Sequence, residues 1–416
     1  MDLSQLTLYR PLKVDSISEE PLSVFLAWQK APNQYEIDLF HQLLKIKESY
    51  AIDGQLFQVY ITLLLAYHEN SFTLALERKE EISASLKAIV LSDLSIIYEL
   101  FHYDFSSLNE LYQPMFNGYK IKKHMMDPQV HRLLSDLCAH LANTASVEAF
   151  YEVLKDHYST YGVGFYGLNK AFRYDQHKII PIAHVESYTL NDIVGYTSQK
   201  EKLVANTKAF LLGEKANNVL LYGDSGTGKS TSIKAILNDF YQDGLRIVEV
   251  YKHQFQFLPE IIHTLQNRHY KFIIYMDDLS FEDFETEYKY LKSVIEGGLE
   301  EKPNNIIIYA TSNRRHLIKQ SWSERQNVDE VNLNDAMQEK LSLVNRFGIT
   351  ILYSHPAKDE FLNIVDTLAK KYHLEIDREE LHAQAMIWEI RNGGFSGRTA
   401  TQFIQYMVNK KVLESL

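Results

Sequence analysis

The sequence predicts an α/β protein: a doubly wound parallel sheet with a helical segment behind it and an all-α region ahead of it. Three observations predict this. Strand-length apolar runs alternate with helical patterns between about residues 190 and 355. Apolar residues recur at three- and four-residue spacing between about 20 and 160. A glycine-rich loop of the form G-x-x-x-x-G-K-S joins one strand pattern directly to one helix pattern.

The first region, taken as residues 1–180, repeats the helical period in "SVFLAWQK" (23–30), "EIDLFHQLLKIKESY" (36–50), "LSDLSIIYELFHY" (91–103) and "VHRLLSDLCAHLA" (130–142). Turn pairs at Asp53-Gly54 and Asn117-Gly118 separate some of these. The greasiest stretch, "FQVYITLLLAY" (57–67), falls far short of the ~20 residues a membrane span needs and reads as a buried helix. "FRYDQHKIIPIAHVESYTLNDIVG" (172–195) is polar with short β-like runs and one proline, which suits a linker. Residues 181–355 then carry five strands, in "NNVLLYG" (217–223), "LRIVEVY" (245–251), "KFIIYMDD" (271–278), "NNIIIYATSN" (304–313) and "FGITILYS" (347–354). Near-continuous apolar strands of this kind belong to a parallel sheet covered on both faces. Residues 356–416 return to the helical period.

Composition narrows the function classes. A net charge of −11 argues against general nucleic-acid affinity, since phosphate backbones are bound mainly by basic surface. The one cysteine, Cys138, excludes an internal disulfide and a cysteine-rich zinc site. No basic-then-apolar leader opens the chain, and a cytoplasmic protein without a membrane segment is expected.

The loop holds the first candidate chemistry. In Gly223, Asp224, Ser225, Gly226, Thr227, Gly228, Lys229, Ser230 and Thr231 the glycines let the backbone turn its N–H groups around phosphate oxygens. The helix that follows aims its positive dipole end at the same charge. Lys229 would meet the outer phosphates, and Ser230 would ligate Mg²⁺, a hard ion that takes oxygen donors and keeps some waters. A chance glycine-rich turn could match the pattern, but not the strand before it and the helix after it together. ATP and Mg²⁺ are therefore the expected cofactors.

Asp277 and Asp278 end the strand of "FIIYMDD", where ligands bind in open α/β sheets. Asp277 would anchor the magnesium and Asp278 would polarise an attacking water. Helix-capping acids are the competing reading. Asn313 ends the next strand, where an amide can orient that water, although asparagine also ends strands as turn chemistry. Arg346 precedes the last strand and Arg398 follows "GGFSG" at a helix start; taken singly, either would be a surface arginine.

Together these residues resemble an AAA+ ATPase, a P-loop NTPase. More narrowly, "NNVLLYGDSGTGKS", "MDDLSFE", "YATSNRRHL", "EKLSLVNRFG" and "SGRTATQF" resemble an uncharacterised bacterial AAA+ family catalogued as a domain of unknown function. The resemblance covers about 190 to 416 and weakens before it. It implies a doubly wound core, a small helical lid and ATP in the cleft between them. It implies that Ile193 and Val194 flank the adenine, that Asn313 is sensor 1, and that Arg398 reaches the phosphates as sensor 2. It also makes Arg346 an arginine finger serving a neighbouring subunit, hence a homo-oligomer, closed or open ring. Many AAA+ proteins carry Asp-Glu where this chain has Asp277-Asp278; Glu282 is a poorer base because it lies past the strand end.

Weaker patterns have ordinary explanations. Tyr251, Phe255 and Phe257 could form a substrate-threading loop or pack on the sheet. "SNRRHLIK" (312–319) and "YKIKKH" (119–124) are locally basic, as solvated faces often are, and "QSWSERQNVDEVNLND" (320–335) reads as an exposed loop. The expected function is ATP hydrolysis driving the remodelling or loading of a macromolecular partner. The alternatives are an ATP-gated binding module with little turnover and a small-molecule P-loop kinase. The client is not legible in the sequence.

Overall fold

Helical periodicity ahead of residue 170 builds a unit with its own core. The computed structural model describes residues 2–14, 17, 20–120, 128–281, 287–296, 302–313 and 343–414. The chain divides into residues 1–170 with 181–184, and residues 171–180 with 185–416.

In the first unit α1 (Glu20–Lys30), α2 (Pro32–Tyr50), α3 (Leu56–Tyr67), α4 (Ser71–Glu77) and α5 (Ala84–Phe101) are followed by α6 (Gln113–Gly118), α7 (Pro128–Ala142), α8 (Val147–Tyr161) and α9 (Gly164–Leu168). The greasy run is α3, buried at every position except Gln58. Polar side chains set several starts. Asn70 accepts the N–H groups of Phe72 and Thr73 at the head of α4, and Ser83 and Ser146 do the same for α5 and α8. Asp93, fully buried on α5, accepts the backbone N–H groups of Thr7, Leu8 and Tyr9 at 2.7 to 3.1 Å. Those bonds satisfy a buried carboxylate and fasten the N-terminal strap to the helices.

The second unit opens with β1 (Ala171–Asp175) and β2 (Lys178–Pro181). They are joined by Gln176 and His177, both in the left-handed region at φ 45° and 60°, as a tight two-residue hairpin turn requires. There follow α10 (Thr197–Leu211), β3 (Val219–Gly223), α11 (Lys229–Phe240), β4 (Leu245–Glu249), α12 (Leu258–Leu265), β5 (Lys271–Met276), α13 (Glu287–Glu296), β6 (Ile306–Ser312) and β7 (Ile349–Tyr353). The segment expected to form the lid, called the lid below, comprises α14 (Lys358–Lys371), α15 (Arg378–Arg391) and α16 (Gly397–Glu414). Its core contains Phe361, Val365, Leu381, Ala385, Phe403 and Ile404.

The seven-stranded sheet runs β2-β1-β4-β5-β6-β3-β7. Every pairing from β1 through β7 is parallel. From β3 the chain crosses outward to β4, returns through β5 and β6, and finishes at β7 on the far side of β3. Strand order thus reverses at β3, and the crevice beyond its C-terminal end is where such sheets bind ligands. The segment expected to be a linker contributes β1 and β2 instead. "AFRYD" buries Ala171, Phe172 and Tyr174, exposes Arg173 and Asp175, and pairs with β4 from Ala171 opposite Ile247. The sheet therefore begins ahead of the expected boundary at 180. Among the described residues no helix is long and apolar enough to cross a membrane.

Candidate functional site

Register brings the strand ends level. Gly223 lies opposite Tyr353, Tyr222 opposite Ser312 and Met276 opposite Ala310. The residues that follow these strands, Asp224, Asp277 and Asn313, are thereby carried to one edge. A side chain at Gly223 is excluded: its Cβ would lie 2.1 Å from the Tyr353 carbonyl oxygen. That closeness lets Asp224 N–H donate to the same oxygen at 2.9 Å. Gly226 and Gly228 take φ of 77° and 96°, turning the loop into α11. Thr227, almost fully buried, ties the loop to itself through the Asp224 carbonyl at 2.8 Å.

Lys229, the first residue of α11, is held inside this loop. Its ammonium donates to the carbonyls of Gly223 and Asp224 at 2.8 and 2.6 Å and to Asn313 Oδ1 at 3.0 Å. Burial pushes its pKa down; Asp224, Asp278 and Asp277 oppose the fall and Arg398 adds to it. The cradle is thus a buried cation among backbone groups at a helix N-terminus, an arrangement that can receive phosphate.

Asp277 stands beside it. Ser230 Oγ donates to Asp277 Oδ1 at 2.7 Å and Thr311 Oγ1 donates to the same oxygen at 2.5 Å. Burial would raise the Asp277 carboxyl, but Thr311, the adjoining Tyr275 hydroxyl, Ser230 and the charge of Lys234 outweigh it and hold it below the usual value. An ionised carboxylate touching a serine hydroxyl is a hard-oxygen donor pair that fits magnesium, with phosphate and water completing the shell. One buried hydroxyl of the group, Tyr275 Oη, lies beside Asp277 without a well-formed hydrogen bond among the described residues.

Asp278 is turned away from the strand by a left-handed backbone, φ 50°, a conformation aspartate tolerates better than most side chains. Its N–H donates to Thr311 Oγ1 at 2.9 Å, and its carboxylate accepts from Asn313 Nδ2 at 2.8 Å. The Asn313 amide therefore faces Lys229 with its oxygen and Asp278 with its nitrogen. The helix-cap reading of the two acids does not describe these bonds.

Ile193 lies over the loop, 3.9 Å from where a Gly228 Cβ would stand, and Val194 packs on the lid core. The lid touches the loop directly: Arg398 N–H donates to the Gly226 carbonyl at 3.2 Å. His355 N–H donates to Asp224 Oδ2 at 2.8 Å, while its ring Nδ1 donates to the Phe395 carbonyl at 2.7 Å. Lys371 of α14 pairs with Asp192, whose carboxyl is held down to about 2 by Lys371 and Thr189. Ser225 is exposed and Thr231 half-buried on α11.

Arg346 does not join this group; its guanidinium pairs with Glu296 at the end of α13. The threading pattern is only partly exposed. Phe255 is buried, Phe257 packs on Tyr174 and His177, and Tyr251 stacks on His253. Glu282, the basic stretch beyond Asn313, the stretch 320–335 and most of the basic 119–124 lie outside the described residues. Thr311, Tyr275 and His355 were not singled out from the sequence. The only hint for Thr311 was a hydroxyl directly before the strand-end Ser312-Asn313.

A parallel core ordered β4-β5-β6-β3-β7, with this loop at the end of β3, an acidic pair after β5 and a three-helix lid, defines a P-loop nucleotide-binding protein of the AAA+ ATPase class. Residues 168–411, more than half of the chain, match the family described as "Protein of unknown function (DUF815)". The chain belongs to that family. Over 83 residues, 19% of the chain, it is 34% identical to the replication factor C large subunit of Methanococcus vannielii. Its identity to that of Methanococcus maripaludis is 31% over the same length. The chain spans 17% of the length of these curated relatives. Among solved structures, a Thermotoga maritima RuvB mutant superposes with a TM-score of 0.37 and 19% identity over 52% of this chain and 64% of its own. The Thermotoga maritima RuvB Holliday junction branch migration motor does so at 0.34 and 16%, over 53% and 72%.

Proposed function

We propose that the protein hydrolyses ATP and uses the cycle to remodel or load a macromolecular partner. The observation that carries this reading is the chain Lys229–Asn313–Asp278 beside the Ser230–Asp277 pair. It sets a cation, an amide, a carboxylate and a metal-fitting oxygen pair around one glycine loop. In this reading the backbone from Gly223 to Thr231 wraps the phosphates and Lys229 exchanges its carbonyl partners for phosphate oxygens. Magnesium held by Ser230 and Asp277 would supply positive charge to the β- and γ-phosphates. Asp278, released from Asn313, accepts the proton of the attacking water, and Asn313 orients that water. Ile193 and Val194 border the base, and Arg398 faces the phosphates from the lid. Arg346 acts on the neighbouring subunit's site in a homo-oligomeric ring or open ring. Nucleic acid is the first client to assay because the curated relatives are replication factors, although a net charge of −11 does not favour it.

Phosphate release measured across a protein-concentration series tests the reading. Specific activity should rise with concentration and vanish in Lys229→Ala. Mixing Lys229→Ala with Arg346→Ala should restore activity, because each supplies the half the other lacks; a mixture as inactive as its parts would refute the shared site.

A second reading, an ATP-gated binding module, is favoured by the aspartate at 278, one methylene shorter than glutamate and engaged by Asn313. It predicts magnesium-ATP binding with no phosphate release at any concentration.

A further inference from the structure

Among the described residues, Tyr275 carries a buried hydroxyl without a well-formed hydrogen bond. The residue lies two positions before Asp277 near the C-terminal end of β5 and is 4% exposed. Its Oη is sealed from solvent and has no hydrogen-bond partner among the described residues. It adjoins Asp277, Ser230 and Thr311 closely enough to help hold the Asp277 carboxyl down, yet no well-formed hydrogen bond joins it to any of them. Those three are already bonded to one another, with both hydroxyls donating to Asp277 Oδ1 and neither to Oδ2. A buried hydroxyl without a partner destabilises the protein, and phenylalanine would fill nearly the same volume without that penalty. Local rules broken in this way mark functional sites. The neighbours here are also the oxygen pair that fits magnesium.

We propose that Tyr275 is a positioning residue of the magnesium site. It donates its hydroxyl hydrogen to the Asp277 carboxylate when magnesium-nucleotide is bound, and so fixes that carboxylate while Ser230 turns its oxygen toward the metal. The inference rests on reading the cradle as a magnesium-ATP site. The role is distinct from that of Ser230 and Asp277, because Tyr275 acts only through the carboxylate.

Tyr275→Phe tests it, with ATP affinity measured by calorimetry in magnesium and again in EDTA. Loss of one hydrogen bond to a charged group predicts affinity for magnesium-ATP about tenfold weaker. Affinity in EDTA should stay within about twofold, since that contact is made only to the metal-holding carboxylate. The melting temperature of the nucleotide-free variant should equal or exceed that of the parent, because a partnerless hydroxyl has been removed. Equal losses with and without magnesium, or no loss in either, would overturn the proposal while leaving the nucleotide site standing. A parent protein that bound no ATP in either buffer would overturn both.

Discussion

Asp278 shows how one backbone angle sets chemistry. Its left-handed φ of 50° takes the carboxylate off the strand axis and delivers it to Asn313 Nδ2, while Thr311 Oγ1 accepts the N–H of Asp278 itself. Replacing it by asparagine keeps size and turn preference but removes the carboxylate that the proposed reaction uses as proton acceptor. Turnover should fall on the order of a hundredfold or more, with magnesium-ATP affinity retained, as phosphate release and calorimetry together would show. Gly223 makes a sharper demand, because any Cβ would press into the Tyr353 carbonyl. Gly223→Ala should cost about 2–4 kcal/mol in urea unfolding. Lys229, Ser230, Asp277 and Asn313 were legible as single letters because each ends or follows a strand in a pattern with a chemical reason. Thr311 and Tyr275 were not. Their place beside Asp277 arises from residues of β5, β6 and α11 meeting there, which no local window of sequence reports.

At the scale of elements, one polar link between the lid and the core is the ion pair between Lys371 on α14 and Asp192. The Asp192 carboxyl falls from an ordinary 3.8 to about 2 on folding. A depressed carboxyl stabilises the fold above its unfolded value and loses that contribution as pH falls through the folded one. The window is therefore about pH 4 down to about 2. Because Lys371 is half exposed, screening limits the pair to about 0.5 kcal/mol. Asp192→Asn should lower the melting temperature slightly at neutral pH, and the difference should close across that acid window. Strand placement was largely readable, since the five core strands fall within their apolar runs. The helices of the first unit likewise follow their apolar period. The exception, β1, was obscured by polar composition. Its alternation of Phe172 and Tyr174 with Arg173 and Asp175 is a strand signal, yet only the exposed edge of β4 gives it somewhere to pair.

At the scale of the molecule, two units with separate cores predict separable folding. Residues 171–416 alone should fold and bind magnesium-ATP with the affinity of the whole chain, as calorimetry and circular dichroism would register. Heating the intact protein should give more than one transition. A 171–416 segment without helical signal would contradict both expectations. The helical unit's fold was legible and its role was not, because apolar periodicity specifies a core while recognition depends on surface detail. The amide of Arg398 rests on the carbonyl of Gly226, so the C-terminal helices and the loop touch with no intermediary. Reciprocity follows: a macromolecule that clasped α16 would tune nucleotide affinity by the same factor with which nucleotide tunes its grip.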